Sequence, residues 1–162
     1  MKTIQIKKGH ILQFKGDLNS SVYKVHSGLL RSYTIDKKGK EHIFMFAPEG
    51  WIIADSAEPD TPCDFFIDAL EDATISITGK DFKAISPNIT LLAKRIAVLQ
   101  KRVIMLMSSS AIERYEHFIE TYPDITQRVS QKMIASYLGI TPEALSKVKG
   151  DQVRQKNDKL NS

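Results

Sequence analysis

The sequence predicts an α+β protein: an N-terminal antiparallel β-roll or jelly roll, then a long helix, then a C-terminal helix-turn-helix. Three observations carry the prediction. Short apolar–polar segments recur from Ile4 to about Thr78, punctuated by Gly9, Gly16, Gly28, Gly39 and Gly50. Apolar residues then adopt heptad spacing from Ile89 to Leu106. Finally, Gln131 to Gly150 are spaced as two short helices that cross at a turn. The parts are read as 1–86, 87–109 and 110–162.

The strand candidates in the first part are His10 to Phe14, Val22 to His26, Leu29 to Ile35, His42 to Ala47, Trp51 to Ala54, Phe65 to Leu70 and Thr74 to Ile77. Several alternate polar and apolar residues, as a half-buried strand requires, and Asp36-Lys37-Lys38-Gly39 suits a hairpin tip. After Gly79 the period changes. Ser86 and Pro87 read as a cap and a first helical residue. Ile89, Leu92, Ile96, Leu99, Val103 and Leu106 then form a seam on a helix roughly 30 Å long. Such a seam wants a partner helix, and the reading is that a second copy supplies it. Leu91, Val98 and Met105 lie off the seam and are assigned to a second buried face against the barrel.

Ser108 to Ser110 interrupts this pattern as a hinge, and Ser110-Ala111-Ile112-Glu113 is a capping box opening a helix that runs to about Thr121. Tyr122-Pro123-Asp124 closes it. In the stretch from Gln131, Ala135 sits where two helices cross too closely for a larger side chain. Gly139 sits where the turn needs a left-handed backbone. Ile134, Leu138, Ile140, Leu145 and Val148 supply the apolar contacts between the helices. Thr141 caps the second helix and Pro142 opens it. Its outward face is then Pro142, Glu143, Ser146, Lys147 and Lys149, residue types that meet base edges and phosphates in a major groove.

The charge distribution favours this reading over an ordinary helical hairpin. Residues 127–162 hold seven basic and three acidic residues, whereas 1–126 hold sixteen of each sign, so the net charge of +4 sits on the helix-turn-helix and its tail. The 162 residues are 42% apolar, contain no segment of membrane-spanning length and begin without a secretory signal, which makes a cytoplasmic location the expectation. The single cysteine, Cys63, excludes an intrachain disulfide and a cysteine-ligated cluster within one subunit. His10, His26, His42 and His117 lack metal-site spacing, and no nucleophile or phosphate-loop motif occurs. No metal, cofactor or enzymatic activity is expected.

This order of parts resembles the Crp/Fnr family of transcription regulators over essentially the whole chain. Lys8-Gly9-His10-Ile11-Leu12, Gly16, Tyr23, Ser27-Gly28-Leu29-Leu30-Arg31 and Gly39-Lys40-Glu41 are similar to the family's cyclic-nucleotide-binding β-roll. Ile134 to Ser146 (IASYLGITPEALS) is similar to its winged-helix-like reader, in the short-tailed form common among Bacteroidetes members. The family's usual N-terminal helix is expected to be reduced or absent. The resemblance implies a homodimeric DNA-binding regulator, with RNA polymerase as a partner if it activates. In Fnr-type members a Glu-x-x-Ser-Arg face contacts the bases; here it is Glu143, Ser146 and Lys147, and lysine lacks the guanidinium fork that reads guanine. Lys132 and Lys149 are better placed for phosphates.

The effector side departs further. Where cyclic-nucleotide binders carry Gly-Glu and Arg-Ser/Thr, this chain has Ala54-Asp55 and approximately Cys63-Asp64. Ile53, Ala54, Asp55, Cys63, Asp64 and Phe65 are the candidate effector-pocket residues. No arginine or lysine occurs between Lys40 and Lys80, an interval with nine acidic residues, so an acidic, cation-free pocket is expected that does not bind cyclic AMP in the family manner. Lys94 or Arg95 are the cations that a long helix could otherwise donate. The rival reading is a cupin-like ligand-binding or metal-dependent module that dimerises without binding DNA specifically.

Overall fold

In a computed structural model, the backbone is described for residues 2–18, 20–58, 60–80 and 89–160; within the helices, the side chains of 89–95, 108, 153 and 155–160 lie outside the description. The predicted cap Ser86-Pro87 and the side chains of Ile89, Leu91, Leu92, Lys94, Arg95 and Ser108 therefore fall outside the described residues. The chain divides into two compact units, Met1–Ile85 and Ser86–Ser162.

The first unit has eight strands: β1 (Lys2–Ile6), β2 (Ile11–Gln13), β3 (Ser21–Ser27), β4 (Leu30–Ile35), β5 (Glu41–Ala47), β6 (Ile52–Ala54), β7 (Phe66–Ala69) and β8 (Ala73–Gly79). They pair antiparallel into two four-stranded sheets, in the orders β1-β8-β3-β6 and β2-β7-β4-β5, which is jelly-roll topology. Every predicted strand is present. The one not enumerated from sequence, β1, pairs along its whole length with β8 (Lys2 opposite Ile77, Ile6 opposite Ala73), a register set across the full barrel.

Alternating residues from both sheets meet in one core: Val25, Leu30, Ala47, Ile53, Ile67 and Ile75 are fully enclosed. The Tyr23 hydroxyl crosses the core edge to donate to the Leu12 carbonyl at 3.1 Å. On β4, Arg31 is buried and grips Asp68 with two bonds, Nε to Oδ1 at 2.8 Å and Nη2 to Oδ2 at 3.0 Å, while Nη1 donates to Glu41 at 2.6 Å. Its guanidinium also lies 4.1 Å from the centre of the Tyr33 ring, which stacks on Phe66. The carboxylates beside it hold Arg31 charged well above its ordinary range against the opposing effect of burial.

The second unit contains α1 (Ile89–Ser108), α2 (Ala111–Thr121), a single 3₁₀ turn at Ile125–Gln127, α3 (Gln131–Leu138) and α4 (Pro142–Leu160). Among its described residues there is no strand, so the reader helices stand without a described β-wing. The predicted capping box is present in full: Ser110 Oγ accepts from the Glu113 N–H, and the Glu113 carboxylate accepts from the Ser110 N–H at 2.6 Å. Its core holds Phe118, Ile134, Leu138 and Leu145, with Phe118, Tyr122 and Tyr137 rings 5.4–5.6 Å apart.

Gly28 joins β3 to β4 at φ 87°, where a Cβ would stand 2.4 Å from the Asp72 carbonyl oxygen and 2.8 Å from Ala73 Cα. Both contacts are with main chain and cannot yield cheaply. Gly28→Ala is expected to destabilise the barrel by roughly 2–4 kcal/mol, measured as a fall in the urea midpoint; a change below about 0.5 kcal/mol would contradict the close approach.

Candidate nucleic-acid interface

The reader is built from local signals that the structure realises. Ser130 caps α3, its Oγ accepting from the Met133 N–H at 3.3 Å. Gly139 ends α3 in the left-handed region (φ 66°, ψ 30°). Its N–H donates to the Ser136 carbonyl at 3.2 Å and the Ile140 N–H to the Ala135 carbonyl at 3.0 Å, closing a Schellman turn. Ala135 is fully buried at the crossing, with Leu138, Leu145 and Val148 around it. Thr141 Oγ1 then accepts from the Ala144 N–H at 3.2 Å, and Pro142 begins α4. These bonds satisfy backbone groups on both sides of the turn, and the direction of α4 is set.

Pro142, Glu143, Ser146 and Lys147 are exposed on α4, and Lys132 is exposed at the start of α3. The Glu143 carboxyl is held below the usual glutamate range by its own backbone N–H and by the Thr141 side chain. Ser146 Oγ donates back to the Pro142 carbonyl at 3.0 Å. Lys149 does not join this face: it is half-buried, with Nζ 5.9 Å from the centre of the Tyr115 ring on α2. The helical period carries it round toward α2, where its stem covers apolar surface.

Two arginines that carry no motif in the sequence tie the reader to α1. Arg114 on α2 donates through Nη2 to the Leu106 carbonyl at 2.8 Å, through Nε to the Ser109 carbonyl at 3.0 Å and through Nη1 to the Leu138 carbonyl at 3.2 Å. One guanidinium thus closes the end of α1, the serine hinge and the end of α3. Arg102 on α1 lies 4.0 Å over the Tyr137 ring and donates to the Tyr137 carbonyl at 3.4 Å. Their partners are main-chain carbonyls, most of them distant in sequence, so no residue pattern marks them.

Along α1, Ile96, Val103, Ile104 and Met107 are more than half exposed, reaching 81% for Met107, and Leu99 is half-buried. The seam predicted from heptads ends differently. Leu106 is turned toward the reader, half-buried with Cδ2 3.6 Å from where a Gly139 Cβ would be, and Met107 continues the exposed stripe in its place. A straight helix drifts by about 20° per heptad, enough to pass the stripe from one residue to the next. Of the residues assigned to the second face, Met105 is buried and Val98 is exposed.

In the barrel, the predicted pocket residues have mostly structural partners. Ile53 lies in the core and Cys63 is buried, with burial pushing its thiol pKa up and away from thiolate chemistry. Ala54 and Asp64 are exposed and Phe65, half-buried, stacks on Phe44 at 4.8 Å. Asp55, buried, folds the β6–β7 loop around its carboxylate: Oδ1 accepts from the Ala57 N–H at 2.8 Å, Oδ2 from the Asp64 and Phe65 N–H groups at 2.9 Å and from Gln13 Nε2 at 3.4 Å. The expectation of a cation-free region is corrected here. Lys80 donates to Ser20 Oγ, to the Asp55 carbonyl at 2.5 Å and to the Ala57 carbonyl at 2.8 Å, and Arg31 and Lys7 neutralise Asp68, Glu41 and Asp72. These cations come from outside the interval of sequence that lacked them. Among the described residues no group of histidine, cysteine and carboxylate side chains is arranged to hold a metal, and no helix is long and apolar enough to cross a membrane.

No protein-family model matches the chain. It is 27% identical to the anaerobic regulatory protein of Haemophilus influenzae over 168 residues, covering 90% of this chain and 64% of that protein. It is also 27% identical to the nitrogen fixation regulation protein FixK of Rhizobium meliloti, covering 88% and 71%. The chain thus spans about two thirds of the length of such relatives. Among solved structures, FixK2 of Bradyrhizobium japonicum superposes with a TM-score of 0.80 at 18% identity, covering 96% of this chain and 85% of that one. A Crp/Fnr-family transcriptional regulator from Thermus thermophilus gives 0.74 at 17% identity, covering 95% and 87%. The chain has the Crp/Fnr fold and is homologous to these regulators.

Replacing Arg114 by lysine leaves one ammonium for three carbonyls that no longer share a partner. The second unit is expected to lose about 1–3 kcal/mol in Arg114→Lys, read by far-ultraviolet circular dichroism melts; an unchanged melt would contradict the bridging role.

Ser110 holds the Glu113 carboxyl below its usual value, as Thr141 and the helix backbone do for Glu143. A lowered folded-state pKa gives stability that is complete above the unfolded carboxylate value, about 4.3, and is lost as pH falls through the lower folded value. Thermal melts from about pH 6 to about pH 3 should therefore show helix stability falling across the acid limb. Glu113→Gln should flatten that fall, and an unaltered slope would argue against the capping carboxylate.

Proposed function

We propose that this protein is a homodimeric, sequence-specific DNA-binding regulator of transcription. The observation that carries the proposal is the reader itself: a Schellman turn at Gly139 and a threonine-capped α4 that leaves Glu143, Ser146 and Lys147 exposed on one surface. Glutamate accepts from a cytosine amino group, lysine donates to guanine, and Lys132 serves a phosphate. Homology to proteins named for anaerobic and nitrogen-fixation regulation supports the reading, and the helix-turn-helix sequence suits a short-tailed form. The exposed apolar stripe Ile96, Val103 and Met107 supports pairing of α1 with its copy, which would set two readers into successive major grooves.

The barrel, in this proposal, does not take cyclic AMP in the family manner. Asp55 supports this, because both carboxylate oxygens are already engaged by N–H groups. An effector would act by shifting α1 or the Ser108 to Ser110 hinge and so biasing an existing equilibrium of reader orientations. RNA polymerase is the further partner if the regulator activates, and the cytoplasm is the proposed location.

Two measurements test the proposal. Duplex affinity should fall steeply with added salt and shift in base preference for Lys147→Arg; a rival ligand-binding module would bind no duplex in a salt-dependent way. Sedimentation should give a dimer that Val103→Glu splits into monomers, and a monomeric parent chain would contradict the seam.

A further inference from the structure

Gly150 is an anomaly in α4. It stands in mid-helix and is exposed, and a Cβ built on it would meet nothing within 4 Å beyond its own stretch of helix, so neither packing nor backbone conformation requires glycine there. A helical glycine in open space is destabilising relative to alanine. It falls on the reading face: successive residues turn by about 100°, which puts Glu143, Lys147, Gly150 and Arg154 within one narrow stripe. Lys147 and Arg154, both exposed, therefore flank the glycine by about one helical turn on either side.

Position along the axis says what would meet this gap. Gly150 lies seven residues beyond Glu143, about 10 Å at roughly 1.5 Å per residue. A helix that offers its first turn to the base edges of a groove about 8.5 Å deep brings a residue that far along to the groove rim, where the sugar–phosphate backbone crosses. We infer that Lys147, Gly150 and Arg154 form a notch for a DNA backbone strand, the glycine admitting it close to the helix main chain and the two cations neutralising its phosphates. The inference rests on the DNA-reading proposal and extends the contact surface beyond the helix-turn-helix to Arg154. Lys147, Asp151 and Arg154 also line a cleft of about 550 Å³ whose walls include Ala111, Ile112, Ala144 and Val148. Asp151 turns from the stripe toward α2, placing its charge on the far side of the cations from Gly150.

The test uses the full chain and a duplex carrying its selected site, with fluorescence anisotropy across a salt series. Gly150→Ala is expected to raise the melting temperature by about 2–4 °C yet weaken binding about tenfold, a combination that loss of folding cannot produce. Arg154→Ala is expected to weaken binding evenly across half-site variants and to reduce the log–log salt slope by about 1 per half-site. Parent-chain binding that neither substitution alters would overturn the notch alone. A parent chain that binds no duplex would overturn the reader assignment and the notch with it.

Discussion

Three carbonyl groups would lose a shared partner in the second unit if Arg114 were not there. Helix ends leave their last carbonyls unbonded, and α1, the serine hinge and α3 all end against the same small volume. A planar guanidinium with five donors serves all three at once, which an ammonium cannot do. The angle between the long helix and the reader is therefore set by hydrogen-bond geometry and not by apolar packing alone. Around it the left-handed Gly139, Leu106 and the Arg102–Tyr137 contact repeat the same connection through different chemistry.

The barrel uses arginine in another way. Arg31 is buried and paired with Asp68 and Glu41 on neighbouring strands, so it binds strand to strand where Arg114 binds helix end to helix end. Asp55 repeats the theme with the opposite charge, gathering N–H groups from the β6–β7 loop. Charges that look, in sequence, like a field available to a ligand are largely committed to holding loops and strands in place. That commitment is the physical ground for reading the barrel's chemistry as different from that of a cyclic-nucleotide site.

What was legible in the sequence was whatever is decided by near neighbours. Ser110 and Glu113 lie three residues apart and cap one another; Gly139 and Thr141 fix a turn through their own backbone; the strands alternate along their own length. What was not legible depends on distant partners. Arg114 and Lys80 bond to main-chain carbonyls, which every residue possesses, and so leave no pattern to find. The pairing of β1 with β8 joins the two ends of the barrel. Lys149 and Leu106 were misplaced for a related reason: a strict count along a helix ignores which neighbour its side is already packed against.

If α1 pairs with its copy, two readers are held at a fixed spacing, and every other part of the proposed function follows from that spacing. Selection of bound duplexes from a random pool by the purified chain, without added ligand, tests it most directly. Enrichment of a two-fold symmetric site is expected, with half-site centres about 34 Å apart, one turn of the duplex. Recovery of a single asymmetric half-site, or of no enriched sequence, would contradict it.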